Sequence, residues 1–130
     1  MGTVEVFKFT TTTNLNANPI ERFSPQTIIK DTPDQLYVDV SAMNGNVPVN
    51  GKILLPYLDA TQGPIYDGKQ VVVVIINTGN AGVLQIQEMN QNGSFIGNPT
   101  ILNAVGQTIS ITAFWDENSM VGQWLLNRLA

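Results

Sequence analysis

The chain has neither cysteine nor histidine among its 130 residues. Without cysteine it can form no disulfide framework, no thiolate metal site and no thiol nucleophile. Without histidine it lacks the side chain that most often acts as a general base or a zinc ligand. The common catalytic and metal-binding arrangements therefore lose their usual members. We expect a protein that is not an enzyme and that needs no cofactor or metal ion.

Charged side chains are scarce as well. They make up 12% of the residues, and six basic against ten acidic side chains give a net charge of −4. Nucleic-acid binding depends on clustered Lys and Arg, so this composition argues against it. The chain also has no apolar run near the roughly 18 residues of a membrane span, and no basic start followed by an apolar signal segment. We expect no nucleic-acid or membrane partner, and synthesis in the cytoplasm without export.

Carboxylates are the remaining route to acid–base or metal chemistry. Most of them stand beside turn residues, where Asp is favoured because its side chain bonds nearby backbone groups. A glycosidase would need two of them facing each other across a cleft. Calcium binding by Asp59, Asp67 or the Asp116-Glu117 pair is the alternative, but the D-x-D-x-D-G spacing of a calcium loop is missing. We interpret the carboxylates as solvated turn residues.

What the sequence has in abundance is short strand patterns separated by turn residues. QLYVDVSA (35–42) alternates apolar and polar residues, and QTISITAFW (107–115) does so too. Strands are predicted at 4–12, 26–30, 35–42, 52–56, 69–76, 83–89, 94–97, 98–102, 107–115 and 121–129. About eight to ten short strands without a substantial helix predict one all-β domain over 1–130, an antiparallel β-sandwich of the jelly-roll kind. A small barrel is the alternative.

Val71 to Ile76 form a run of six β-branched residues. In a two-layer β domain only alternate residues meet the core, and an uncovered apolar strip would invite aggregation. We therefore predict that the other residues face a neighbouring subunit or the N-terminal segment. The turn NTGNAG (77–82) leads into VLQIQEM (83–89) and predicts a hairpin. The residues predicted to contact a partner or another subunit are Val71, Val72, Val73, Val74, Trp115 and Trp124.

The loops offer a different kind of site. Aromatic rings can stack on sugar rings, and Asn and Asp side chains can bond sugar hydroxyls. Residues of these types occur in the predicted loops 57–68, 90–98 and 116–120. The candidate glycan contacts are Tyr57, Asp59, Tyr66, Asp67, Asp116 and Asn118.

Four motifs follow one another along the second part of the chain. They are Leu55-Pro56, Asn77-Thr78-Gly79, Gly106-Gln107-Thr108 and Trp124-Leu125-Leu126. In this order and spacing, residues 52–130 resemble the β-structured domain of bacteriophage virion proteins, which include tail-fibre tips, capsid fibres (head fibres) and auxiliary or decoration proteins. The resemblance implies a trimeric, non-enzymatic structural or receptor-binding role. Residues 1–50 lie outside it, and we expect them to take part in docking or oligomerisation.

Two functions follow as expectations. In the first, the protein is a virion structural protein, an auxiliary capsid, decoration or capsid-fibre protein that docks on the particle as a homotrimer. Its partners are then copies of itself and a capsid or other virion protein. In the second, it is a receptor-binding module at a tail-fibre tip that holds glycans of the host surface.

Overall fold

The computed structural model describes residues 4–8, 34–41, 51–55, 57–61, 63–80, 82–92 and 94–130, and of Phe7 and Phe95 the backbone alone. These ranges contain eight strands and a single turn of helix. In chain order the elements are β1 (Val4–Lys8), β2 (Gln35–Asp39), β3 (Gly51–Leu55), α1 (Gly63–Tyr66), β4 (Gln70–Asn77), β5 (Leu84–Met89), β6 (Phe95–Leu102), β7 (Thr108–Asp116) and β8 (Val121–Arg128). No helix within them is long and apolar enough to cross a membrane.

The strands form two sheets that share one core. The large sheet has the strand order β1-β2-β4-β7-β8, and the small sheet has the order β3-β5-β6. Period-two alternation turns one face of each strand inward, so that Val73 and Ile111 of the large sheet and Ile53 and Ile86 of the small sheet belong to one buried cluster. A continuous core between two sheets defines a β-sandwich. The predicted all-β sandwich class is confirmed.

The strand pairing is mixed, whereas the sequence predicted antiparallel strands. The pairs β1–β2, β2–β4 and β3–β5 are parallel, and the pairs β4–β7, β5–β6 and β7–β8 are antiparallel. From β2 to β5 the chain alternates between the sheets. A chain that crosses to the other sheet and then returns runs in its original direction, and this makes the returning strand parallel to its predecessor.

The predicted hairpin of 69–76 with 83–89 is wrong for the same reason. β4 lies between β2 and β7 in the large sheet, and β5 lies between β3 and β6 in the small sheet. The connection between them therefore passes from one sheet to the other. The connection passes so close to Val40 that glycine is needed at position 82, because a Cβ atom there would overlap the Val40 carbonyl oxygen.

Most predicted strands appear with shifted ends, but 94–97 and 98–102 form one strand, β6. Its register with β5 shifts between Ile96 and Thr100, around Gly97, whose φ is 66°. There Gln87 Nε2 donates hydrogen bonds of 2.9 Å to the carbonyl oxygens of Ile96 and Gly97. Pro99 is tolerated because β6 is an edge strand, where a missing N–H breaks no ladder. The predicted strand 26–30 lies outside the described residues.

Candidate assembly surface

We call the face of the large sheet that points away from the core the outer face. The pairing register of the strands aligns the side chains of this face in rows that run across the sheet. Two rows cross the whole sheet, one with Val4, Gln35, Val72, Ser110 and Asn127 and the next with Val6, Tyr37, Val74, Thr108 and Leu129. Two shorter rows follow toward one end, with Gln70, Thr112 and Leu125 and then with Phe114 and Gln123. None of these side chains carries a charge.

Among the residues that the structure describes, charged side chains stand only at the margins of the outer face. Lys8 and Asp39 are register partners beyond the last full row. Partial burial raises the pKa of Asp39, but hydrogen bonds from Ser41 and the nearby Lys8 ammonium outweigh it, so the pKa lies below its ordinary value. Asp39 is therefore an anion at neutral pH, next to a cation. At the opposite end, Asp116 pairs with Val121.

The outer face exposes large apolar side chains at its β1 edge, on β7 and β8, and at Leu129, which is 55% exposed. At the β1 edge, Val4 is 56% and Val6 is 61% exposed. On β7 and β8, Phe114 is 54%, Val121 is 55% and Leu125 is 42% exposed. Phe114 lies diagonally between Val121 and Leu125, because the register partners of its neighbours Thr112 and Asp116 are Leu125 and Val121. We call these three residues the Phe114 patch.

The structure divides the valine run between the two faces. Val71 and Val73 are buried in the core, whereas Val72 and Val74 are half-buried on the outer face. Of the residues predicted to contact a partner, only Val72 and Val74 therefore face outward.

The two tryptophans belong to the interior. Trp115 and Trp124 are each only 6% exposed. Their predicted role in an interface is corrected, because both lie on the core-facing side of their strands, in register with Gly122 and Ala113. Phe114 and Leu125 are exposed, but neither was among the residues predicted to contact a partner. The signal was present, since alternation in 107–115 places Phe114 on a face that otherwise carries hydroxyl groups.

The edge strand β8 of the large sheet is linked to the small sheet by hydrogen bonds. The backbone N–H of Trp124 donates a hydrogen bond to the Glu88 carboxylate, which comes from β5. Arg128 Nη2 donates a hydrogen bond of 2.7 Å to the carbonyl oxygen of Ile101 in β6. Side chains that occupy an edge in this way hinder its pairing with another strand.

Two of the three predicted glycan loops, 57–68 and 116–120, are in contact with each other or with the strand ends beside them. The backbone N–H of Trp115 donates a 3.1 Å hydrogen bond to Asp67 Oδ1, which joins the loop after α1 to the end of β7. Leu58 packs against Gly122, where no Cβ atom would fit. The loops 57–68 and 116–120 therefore lie side by side, and Asp67 and Asp116 with them.

Several loop carboxylates are engaged by their own turns. Asp59 Oδ1 accepts a hydrogen bond from the Thr61 N–H. Asp116 accepts from the Ser119 hydroxyl and the Asn118 N–H, and these bonds lower the pKa of its carboxyl group. In the described part of the chain, no three metal-ligating side chains gather at one point. The pattern fits the interpretation of these carboxylates as turn residues.

No family model, characterised protein or solved structure matches this chain. The motifs that resemble virion proteins occupy turn and strand positions in this fold. Gly79 follows β4 with a φ of 59°, and Gly106 precedes β7 with a φ of 91°, so both hold left-handed turn conformations. Leu55 is buried at the end of β3, and Trp124 is buried in β8.

Tyr66 is buried, although it was predicted to contact glycan. Its side chain is 0% exposed, so no ring surface is left for a sugar to stack on. The ring lies 6.1 Å from that of Trp124. The hydroxyl group has no hydrogen-bond partner within the described ranges. Burial, with a contribution from the Asp59 carboxylate, raises the pKa of Tyr66 to about 12. Tyr57, by contrast, is 42% exposed.

We expect Tyr66→Phe to raise the free energy of unfolding by about 1 kcal/mol, because it removes a buried hydroxyl without a partner. Urea denaturation measures this change. Tyr37→Phe is the control, since the Tyr37 hydroxyl donates a 3.2 Å hydrogen bond to Gln35 Oε1 at the surface. Its loss should change the free energy by less than about 0.5 kcal/mol. A clear loss of stability in Tyr66→Phe would contradict the assignment of an unpartnered hydroxyl.

Glu88 should make folding stability depend on pH. Burial raises the pKa of this carboxyl group above its ordinary value of 4.5, and the hydrogen bond from the Trp124 N–H only partly offsets the rise. The folded state then binds the proton more tightly than the unfolded state. Stability contributed by Glu88 is therefore greatest below pH 4.5 and falls as pH rises through the raised pKa.

We expect Glu88→Gln to raise stability at pH 7 by less than about 1 kcal/mol, because the amide oxygen keeps the bond to Trp124 without a buried charge. Thermal unfolding of both proteins at pH 4 and pH 7 gives the comparison, and the difference between them should shrink at the lower pH. Glu88→Leu serves as the control, because it removes the acceptor of the Trp124 N–H together with the charge, whereas Glu88→Gln removes the charge alone. A Gln variant less stable than the wild type at pH 7 would refute the expectation.

Proposed function

We propose that the chain is a non-enzymatic structural protein of a bacteriophage virion, an auxiliary capsid, decoration or capsid-fibre protein that docks on the particle as a homo-oligomer. The observation that carries the proposal is the uncharged outer face, with its exposed valines and the Phe114 patch. A face of this kind gains free energy when another surface covers it. The resemblance of residues 52–130 to virion proteins supports the setting.

The composition of purified particles tests this proposal. Mass spectrometry and gel densitometry of particles of the phage that encodes the chain should find it in a copy number that scales with the capsid lattice. Antibody labelling in electron micrographs should place it on the capsid. Absence of the protein from purified particles would refute the proposal.

The meeting of the loops 57–68 and 116–120 favours a second candidate, a receptor-binding tip that recognises glycans. Tyr57 is exposed there, and Asp67, Asp116 and Asn118 lie in the same two loops. In that case the copy number should match the tail fibres. Binding to a glycan array should be lost in Tyr57→Ala and retained in Val105→Ala, a control at another exposed apolar residue.

A further inference from the structure

We propose that copies of this chain assemble through the outer face of the large sheet, with the Phe114 patch as the anchor, so that each copy covers the outer face of another. The inference rests on the proposed function in one respect, that the protein is a homo-oligomer. It adds which surface is buried between the copies and which residues hold it.

The chemistry of the outer face suits a second copy of the same chain. The full rows and the two shorter rows contain only aliphatic, aromatic, hydroxyl and amide side chains. Such a face offers no charge by which a partner of opposite sign would be selected. It can cover itself without burying an unpaired charge, which would be costly. The marginal pair Lys8 and Asp39 is of opposite sign and adds no net charge, and Asp116 at the other end is exposed and hydrogen-bonded within its own turn.

The size of the outer face is sufficient for a stable contact. Five strands about 4.8 Å apart span roughly 24 Å. The strands have five to nine residues, or about 16 to 30 Å at 3.3 Å per residue. Two such faces in contact bury roughly 1,100 Å² in projection, slightly above the ~1,000 Å² that separates specific interfaces from incidental ones.

The neighbouring sheet edge is a weaker route to assembly. Pairing of β8 with a second β8 would need free backbone groups along that edge. Glu88 already accepts the Trp124 N–H, and Arg128 reaches across to the small sheet. Face-to-face contact leaves both of these links intact and buries Phe114 and Leu125, whereas edge pairing would leave both exposed.

Light scattering coupled to gel filtration tests the inference on the full chain. The wild type should elute with a mass that is a multiple of 14.2 kDa. Phe114→Thr/Leu125→Thr introduces β-branched residues, which suit strands, and should raise the dissociation constant at least about 100-fold. Ile101→Thr is the matched control, because Ile101 on the small sheet and Leu125 are both 42% exposed. The control should keep the wild-type mass.

A second measurement does not depend on the folding of the double variant. The chain has no cysteine, so a single introduced thiol reports on one position. Gln123→Cys, beside Phe114 on the outer face, should react with a maleimide more slowly as protein concentration rises. Gln91→Cys, exposed in a turn of the small sheet, should react at a constant rate.

The outcomes separate the two proposals. A multimeric wild type whose mass survives Phe114→Thr/Leu125→Thr, with Gln123→Cys fully reactive, would overturn the assignment of the outer face and leave the virion role standing. A monomeric wild type at all concentrations would overturn self-assembly. The composition of purified particles would then be the remaining test of the virion role. A monomer destabilised by the same substitutions would indicate that the chain itself covers the face.

Discussion

Replacing Gly63 with alanine is expected to lower the free energy of unfolding by about 3 kcal/mol, a large part of the total for a domain of this size. Gly63 is the first residue of α1, and a Cβ atom there would overlap the Cε3 and Cζ3 atoms of the Trp115 ring. Trp115 is 6% exposed and packed at the end of the core, so its ring cannot move aside without opening the sandwich. Urea denaturation followed by tryptophan fluorescence measures the loss.

Gly68→Ala is the control for this prediction. A Cβ atom at Gly68 meets nothing within 4 Å, but its φ of 83° makes alanine unfavourable there. The expected cost is the backbone term alone, about 1 kcal/mol. A Gly63→Ala variant as stable as Gly68→Ala would contradict the close packing of α1 on Trp115. Combining Gly63→Ala with Trp115→Phe should cost less than the sum of the two changes, because the smaller ring relieves the overlap.

Local alternation in the sequence was sufficient to predict most strands and the direction of their side chains. In 107–115 it places Ile109 and Ile111 inward and Thr108 and Phe114 outward, as the structure shows. This works because the side-chain period of a strand does not depend on its neighbours. The uncharged face of β7 could therefore be predicted from the sequence. The continuation of this uncharged face across β2 and β8 could not be predicted from the sequence, because it depends on which strands pair and in what register.

Strand partners and loop burial depend on contacts between distant residues. The segment 77–82 has the glycines and asparagines of a hairpin turn, yet it connects the two sheets, because β4 already has β2 and β7 on its two sides. Tyr66 lies in a polar stretch of sequence, but the turn of α1 brings it against Trp124 in the core. Neither outcome is encoded in local composition, and both are decided by which surfaces remain to be covered.

The valine run allows the division of the two faces to be measured with one type of substitution. Val73→Ala should lower the free energy of unfolding by about 2–3 kcal/mol, because it removes two methyl groups from a residue with 0% exposure and leaves a cavity. Val72→Ala should cost less than about 1 kcal/mol in the monomer, since Val72 is only half-buried between Gln35 and Ser110. Thermal and urea unfolding at low protein concentration give both values.

The same pair also distinguishes folding from assembly. If another copy covers the outer face, Val72→Ala should weaken association several-fold, whereas Val73→Ala should lower stability without a direct effect on the interface. Equal losses of stability from the two substitutions at low concentration would mean that Val72 is covered within a single chain. In that case the middle of the outer face is already covered before assembly, and a second copy would contact the exposed Phe114 patch at its end.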